Sequence, residues 1–232
     1  MTIYALGDLH FSGLPPAKPM EKFGEHWGDH RSKICTNWRK LVKAEDLVIL
    51  CGDLSWAMTL EEAKVDLDAI ASLPGHKILL KGNHDYWWTT LGKMHAMYPQ
   101  QFFFLQNNFY AAGDVAICGT RGWILPGCED FKEDDEKHLR REAIRLELSL
   151  EAAQKAGFTK IICALHYPPF YTAEQASPLR TLLEKYHVQV CVFGHIHGQE
   201  AAASVFQGTV GGCLYKLVSC DNTEFAPVAL HI

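Results

Sequence analysis

Six short apolar runs narrow the folds open to this chain. They occupy 3–8 (IYALGD), 47–53 (LVILCGD), 77–83 (KILLKGN), 115–122 (VAICGTRG), 160–167 (KIICALHY) and 188–195 (VQVCVFGH). None alternates cleanly between apolar and polar residues, so each reads as a strand buried on both faces. Helical patterns lie between several of them. Thr59 to Leu73 opens with a Thr59/Glu62 capping box and puts Leu60, Ala63, Leu67 and Ile70 on one face. A second stripe, Leu139, Ala143, Leu146, Leu150 and Ala153, predicts a helix starting near Asp134. Strands alternating with helices imply a layered α/β domain whose sheet is partly parallel.

Two stretches depart from that alternation. Residues 109–119 (FYAAGDVAICG) read as a hairpin turning at Gly-Asp, and the tail 201–232 looks β-rich. The expectation is therefore a mixed sheet, or two sheets face to face, with helices outside. No repeat, low-complexity segment or linker interrupts the chain, so 1–232 is expected to be a single domain. Residues 11–31 lack periodicity, and a connection of that length is usually functional or disordered. Within it, beside Trp27, His26 and His30 read as solvated loop histidines, the alternative being that they cover or extend a site. The charge run 129–137 reads as a solvated loop and helix start, capped by Asp134 or Asp135.

The polar residues gather where the apolar runs end. The first run ends in Asp8 and His10, the second in Asp53, and the third in Asn83, His84 and Asp85. The later runs end in His166 and in His195 and His197. Sites in α/β sheets form beyond the carboxyl ends of strands, so these groups are candidates to converge. Two-residue spacing, as in Asp8/His10 and His195/His197, would place both side chains on one side of an extended strand end. Asp, Asn and His donors without thiolates suit Mn, Fe or Zn in an open site. Seven donors, Asp8, His10, Asp53, Asn83, His166, His195 and His197, exceed the needs of one tetrahedral ion and suffice for two ions bridged by a carboxylate. Two such ions are a recurring device for in-line phosphoryl displacement.

Composition excludes some partners. With 22 Lys plus Arg against 27 Asp plus Glu, the net charge of -5 argues against non-specific coating of long nucleic acid. It leaves a small anionic substrate open. Eight cysteines without a C-x-x-C pair, several inside apolar runs, suit a reducing cytoplasm rather than a disulfide framework. No apolar stretch approaches the roughly 20 residues needed to span a bilayer. Arg121, after the fourth run, would either clamp a substrate phosphate or form a surface ion pair. Trp56, Tyr86, Trp87, Trp88, Trp123 and Tyr167 lie near strand ends, where they would stack a base or pack the core.

The ordered set GDLH, GDLS, GNHD, LHYPP and GHIHG resembles the calcineurin-like metallophosphoesterase superfamily, from Asp8 to His197. Residues 18–30 (KPMEKFGEHWGDH) also resemble a bacterial subgroup of predicted phosphohydrolases. The resemblance implies a four-layer αββα sandwich and metal-dependent hydrolysis of a phosphomonoester or phosphodiester. It implies that Asp8, His10 and His197 bind one metal, that Asn83, His166 and His195 bind a second, and that Asp53 bridges them. It further implies that His84 is the general acid or a phosphate contact. A hydroxide between the metals would then attack phosphorus in line, with His84 oriented by Asp85 or by a backbone carbonyl. Alternative expectations are a nuclease or cyclic-nucleotide phosphodiesterase on the same site, and a non-enzymatic binding module that keeps the fold. No motif residue is missing, which disfavours the last.

Overall fold

The computed structural model describes residues 1–232. Its strands, in chain order, are β1 (Ile3–Leu6), β2 (Leu47–Leu50), β3 (His76–Leu79), β4 (Phe102–Phe104), β5 (Tyr110–Ala112), β6 (Val115–Thr120), β7 (Lys160–Leu165), β8 (Val190–Phe193), β9 (Gly208–Val210), β10 (Cys213–Leu217) and β11 (Val228–Leu230). The helices are α1 (His30–Leu41), α2 (Leu60–Ala71), α3 (Leu91–Met97), α4 (Glu133–Lys155), α5 (Pro178–Lys185) and α6 (Gln199–Ser204). One sheet has the order β11-β1-β2-β3-β4 and the other β5-β6-β7-β8-β10-β9. Both are mixed. In the first, β1 to β4 run parallel and β11 is antiparallel; in the second, β6, β7, β8 and β10 are parallel between antiparallel edges.

The unalternating runs have a simple cause: their apolar residues face an apolar layer on either side of the sheet. Ile3, Ala5, Leu47, Ile49 and Ile78 of one sheet pack on Val115, Ile117, Ile162, Ala164 and Val192 of the other. The intervening residues face helices. Leu6, Val48, Leu50 and Leu79 meet α1, α2 and α3, while Cys118, Cys163, Leu165 and Phe193 meet α4 and α5. The result is the αββα sandwich, with three apolar layers between its four layers of structure.

The capping box of α2 forms as expected, with Glu62 N donating to Thr59 Oγ1 at 3.2 Å. The hairpin forms too, with Ala112 opposite Val115 across Gly113-Asp114. At α4 the cap differs from expectation. The helix starts at Glu133 after Lys132, and Asp135 sits one turn in, accepting from Lys132 N at 2.8 Å and from Trp123 Nε1 at 2.8 Å. The 11–31 connection is built rather than loose. Two short 3-10 turns, Met20–Phe23 and Glu25–Trp27, lead into α1, and Met20, Trp27 and His30 are buried. His30 is therefore not the solvated residue expected, whereas His26 is exposed. The β-rich tail also contains one short helix, α6.

Candidate metal centre

The parallel strands of both sheets end at one edge, and the polar residues follow those ends. Asp8 lies past β1, Asp53 past β2, Asn83 past β3, His166 past β7 and His195 past β8. Backbone hydrogen bonds join these loops within each sheet, Asp8 N to Gly52 O at 2.9 Å and His10 N to Asp53 O at 2.9 Å in one and Gly194 N to His166 O at 3.0 Å in the other, and Gly7 N to Val218 O at 2.7 Å joins the two sheets. Such close approach needs glycine. A Cβ on Gly82 would lie 2.0 Å from Asp53 Oδ1, and one on Gly194 would lie 2.4 Å from Asp8 Oδ2.

Convergence is not produced by strand alternation, contrary to the expectation from two-residue spacing. Asp8, His10, Asp53 and His195 all have positive φ, from 47° to 71°. This left-handed conformation costs L-residues on the order of 1 kcal/mol or more each and clusters at functional sites. Here it turns the side chains back over the sheet edge.

Two donor groups result. Asp8, His10 and His197 bring one ligand atom each within 4.8 Å of one another, and Asp8, Asp53 and His166 do the same. Asp8 belongs to both groups, and Asp53 Oδ2 lies 3.9 Å from His10 Nε2 and 3.6 Å from His166 Nε2. Asn83 Oδ1 is 2.6 Å from His166 Nε2 and 2.9 Å from His195 Nδ1. All seven donors named from the sequence thus meet in one cluster.

The cluster has the electrostatics of a cation site. Asp8 and Asp53 are buried, and neither has a lysine or arginine within ion-pair distance. Burial pushes Asp8 up to about 8, against the pull of His197 and aided by Asp53. Burial also raises Asp53, lowers His166 to about 3 and His195 to about 2, and holds His10 well below its ordinary value. Neutral imidazoles facing buried carboxylates are donors that a bound metal satisfies. His166 Nδ1 donates to Cys51 O at 2.9 Å, which leaves Nε2 facing the cluster. This donor set fits divalent metal.

His197 is oriented by a residue the sequence did not reveal. Its Nδ1 donates to Asp221 Oδ1 at 3.0 Å, leaving Nε2 facing His10 Nε2 at 3.3 Å and Asp8 Oδ1 at 3.8 Å. Burial alone would lower His197, but the Asp221 hydrogen bond and the Asp8 charge outweigh it and raise it to about 9. Carboxylate–histidine pairs of this kind fix the ring and its tautomer at metal sites.

Asp85 does not orient the His84 ring. Its buried carboxylate accepts from the backbone N–H of Asp53, Leu54 and Gly82 at 2.8 Å each, from Ser55 N at 3.3 Å and from Trp87 Nε1 at 2.8 Å. It therefore ties the Asp53 loop to the Asn83 loop. His84 N instead donates to Asp53 Oδ1 at 2.8 Å, and its half-buried ring lies 4.4 Å from that of Trp56. Burial lowers the His84 pKa below its ordinary value. A cavity of about 250 Å³ opens over His10, His84 and His197, walled by Trp27 and Trp56.

The other aromatics divide. Trp87 and Trp88 belong to the core, Tyr86 is exposed beside His84, and the Tyr167 ring lies 4.1 Å from that of His195. Arg121 is neither on the open surface nor among the donors. Its guanidinium lies 4.3 Å over Trp123 and 3.9 Å from Glu142 Oε1, beside the cluster. No helix is long and apolar enough to cross a membrane.

Solved structures share this architecture. The chain is similar to the protein of unknown function AQ665 from Aquifex aeolicus, at 16% identity over 98% of this chain and 95% of that one, with a TM-score of 0.53. It is similar to phosphopantetheinyl hydrolase (PptH) from Mycobacterium tuberculosis, at 14% identity over 99% and 95%, with a TM-score of 0.60. It is also similar to TT1561 of Thermus thermophilus, at 13% identity over 87% and 85%, with a TM-score of 0.55. At these identities the likeness is one of fold. No curated protein matches the sequence significantly. The family model described as calcineurin-like phosphoesterase matches residues 1–199, a span that takes in all seven donors. This chain therefore belongs to the calcineurin-like phosphoesterases, a family of metal-dependent phosphoester-cleaving proteins.

Proposed function

We propose that the chain hydrolyses a phosphomonoester or phosphodiester at a two-metal centre. Asp8, His10 and His197 would hold one ion and Asn83, His166 and His195 the other, with Asp53 available to both. The observation that carries this reading is the position of Asp53 Oδ2, within 4 Å of a histidine nitrogen from each set. Mn, Fe or Zn suits these donors. Bound there, the ions would supply Lewis acidity and a water made nucleophilic near neutral pH.

The remaining work falls to the chain. Asp221 and the Cys51 carbonyl hold His197 and His166 with their Nε2 atoms toward the site. Asp85 fixes the two loops that carry Asp53 and Asn83, acting as a positioning residue. His84, at the cavity rim, protonates the leaving oxygen, and an anionic phosphate beside it favours the protonated ring. Both sheets contribute donors, which supports treating 1–232 as one working unit. The eight free cysteines support a cytoplasmic setting.

Manganese-reconstituted protein should release p-nitrophenolate from p-nitrophenyl phosphate, its bis-ester, or both. A chain that carries metal but cleaves neither, nor any of a panel of cyclic nucleotides and pyrophosphates, would instead be a binding module.

A further inference from the structure

A cavity of about 340 Å³ lies beside the metal centre, on the side of Asn83 and His166. Lys81, two residues before Asn83, and Thr89, beyond the same loop, form one wall. Arg121 forms the other, and its carbonyl accepts the N–H of His166 at 3.0 Å. Arg145 and Glu142 reach in from α4. The cavity therefore bridges the two sheets and shares the Asn83 loop with the donor cluster.

Its charge is unbalanced. Glu142 is the single carboxylate among the lining residues, against Lys81, Arg121 and Arg145. Glu142 is buried, and its oxygens are already engaged by Thr120 Oγ1 at 2.5 Å, Gly122 N at 3.2 Å and Arg145 Nη1 at 2.7 Å. Arg121 gets no hydrogen bond from it, the nearest approach being 3.9 Å, and Arg121 Nε is buried without any partner. Lys81 makes no ion pair or hydrogen bond through its ammonium group. Lys81 without a partner, and Arg121 and Arg145 sharing the one carboxylate of Glu142, held around a cavity large enough for a hydrated oxyanion, make a ready anion site. The Trp123 face under Arg121 fixes the plane of its guanidinium.

We propose that this cavity is a second oxyanion subsite, which binds a phosphate group of the substrate other than the one being cleaved. The substrate class is then a phosphoester carrying a second phosphate, with one phosphate at the metal centre and the other between Lys81, Arg121 and Arg145. This rests on the hydrolase reading above for the first phosphate, though not for the binding of the second.

Inorganic phosphate titrated calorimetrically into the full-length chain separates the two. Manganese-loaded protein should bind two phosphates, and chelated, metal-free protein should bind one. Lys81→Met and Arg145→Met, on separate elements, should each weaken the metal-independent site at least tenfold, with Arg145→Lys restoring most of it. Among substrates that are turned over, KM for those with a second phosphate should rise at least tenfold in Arg145→Met. Absence of phosphate binding to metal-free protein, or binding as tight as wild type in both methionine variants, would overturn the subsite. A single site with or without manganese, still sensitive to Arg145→Met, would keep the subsite and overturn the metal-centre reading.

Discussion

Asp221 Oδ1 lies 3.0 Å from His197 Nδ1 and sets the ring so that Nε2 points at Asp8 and His10. Its other oxygen accepts from Gly198 N at 2.8 Å, so one carboxylate fixes both the His197 ring and the backbone after it. Removing such a partner typically costs about 10–100-fold in metal affinity. Asp221→Ala should weaken binding of one of the two ions by that factor, as read by manganese titration, and leave the other ion's affinity within a few-fold.

The same contact gives the metal-free chain a pH dependence. His197 is raised from its ordinary 6.5 to about 9, so folding favours its protonated form. The associated stability is complete below pH 6.5 and is lost as pH rises through about 9. Chelated protein should therefore show a falling melting temperature across that window, and Asp221→Asn should flatten the fall. A wild-type melting temperature that rises between pH 6.5 and 9 would contradict the assignment.

Asp85 satisfies four backbone N–H groups and the Trp87 indole inside the protein. A buried donor left without an acceptor costs about 1–3 kcal/mol. Asp85→Ala strands several at once and should destabilise the fold by at least about 3 kcal/mol, measured by denaturant unfolding. Loosening of the Asp53 and Asn83 loops should lower metal occupancy in parallel.

His84 makes its hydrogen bond to Asp53 through its backbone, and its ring nitrogens have no hydrogen-bond partner within the protein. His84→Ala should retain the wild-type metal content and lose about 10²–10⁴-fold in turnover, the range for general acid catalysis. A variant with full turnover would remove His84 from the chemistry.

Much of this was legible in the sequence because burial on both faces removes alternation and leaves polar residues only where strands stop. Asp8, Asp53, Asn83, His166 and His195 could be located on that ground. Their convergence came from a different source than expected, the left-handed backbone at Asp8, His10, Asp53 and His195, which residue spacing does not announce. The α1 helix left little trace. Asp29 before it is itself left-handed and caps nothing with its side chain, and only His30, Ile34 and Trp38 are buried. Asp221 sits 24 residues from its partner in a strand-end segment with no motif, so only tertiary contact reveals it. The Lys81, Arg121 and Arg145 grouping is invisible for the same reason, since three elements bring it together.

The proposed chemistry turns on two ions sharing Asp53. Native mass spectrometry of manganese-reconstituted wild type and Asp53→Asn tests it most directly. Two ions per wild-type chain, with at least one lost in Asp53→Asn, is the predicted result. One ion or none in the wild type, or two retained in Asp53→Asn, would contradict it.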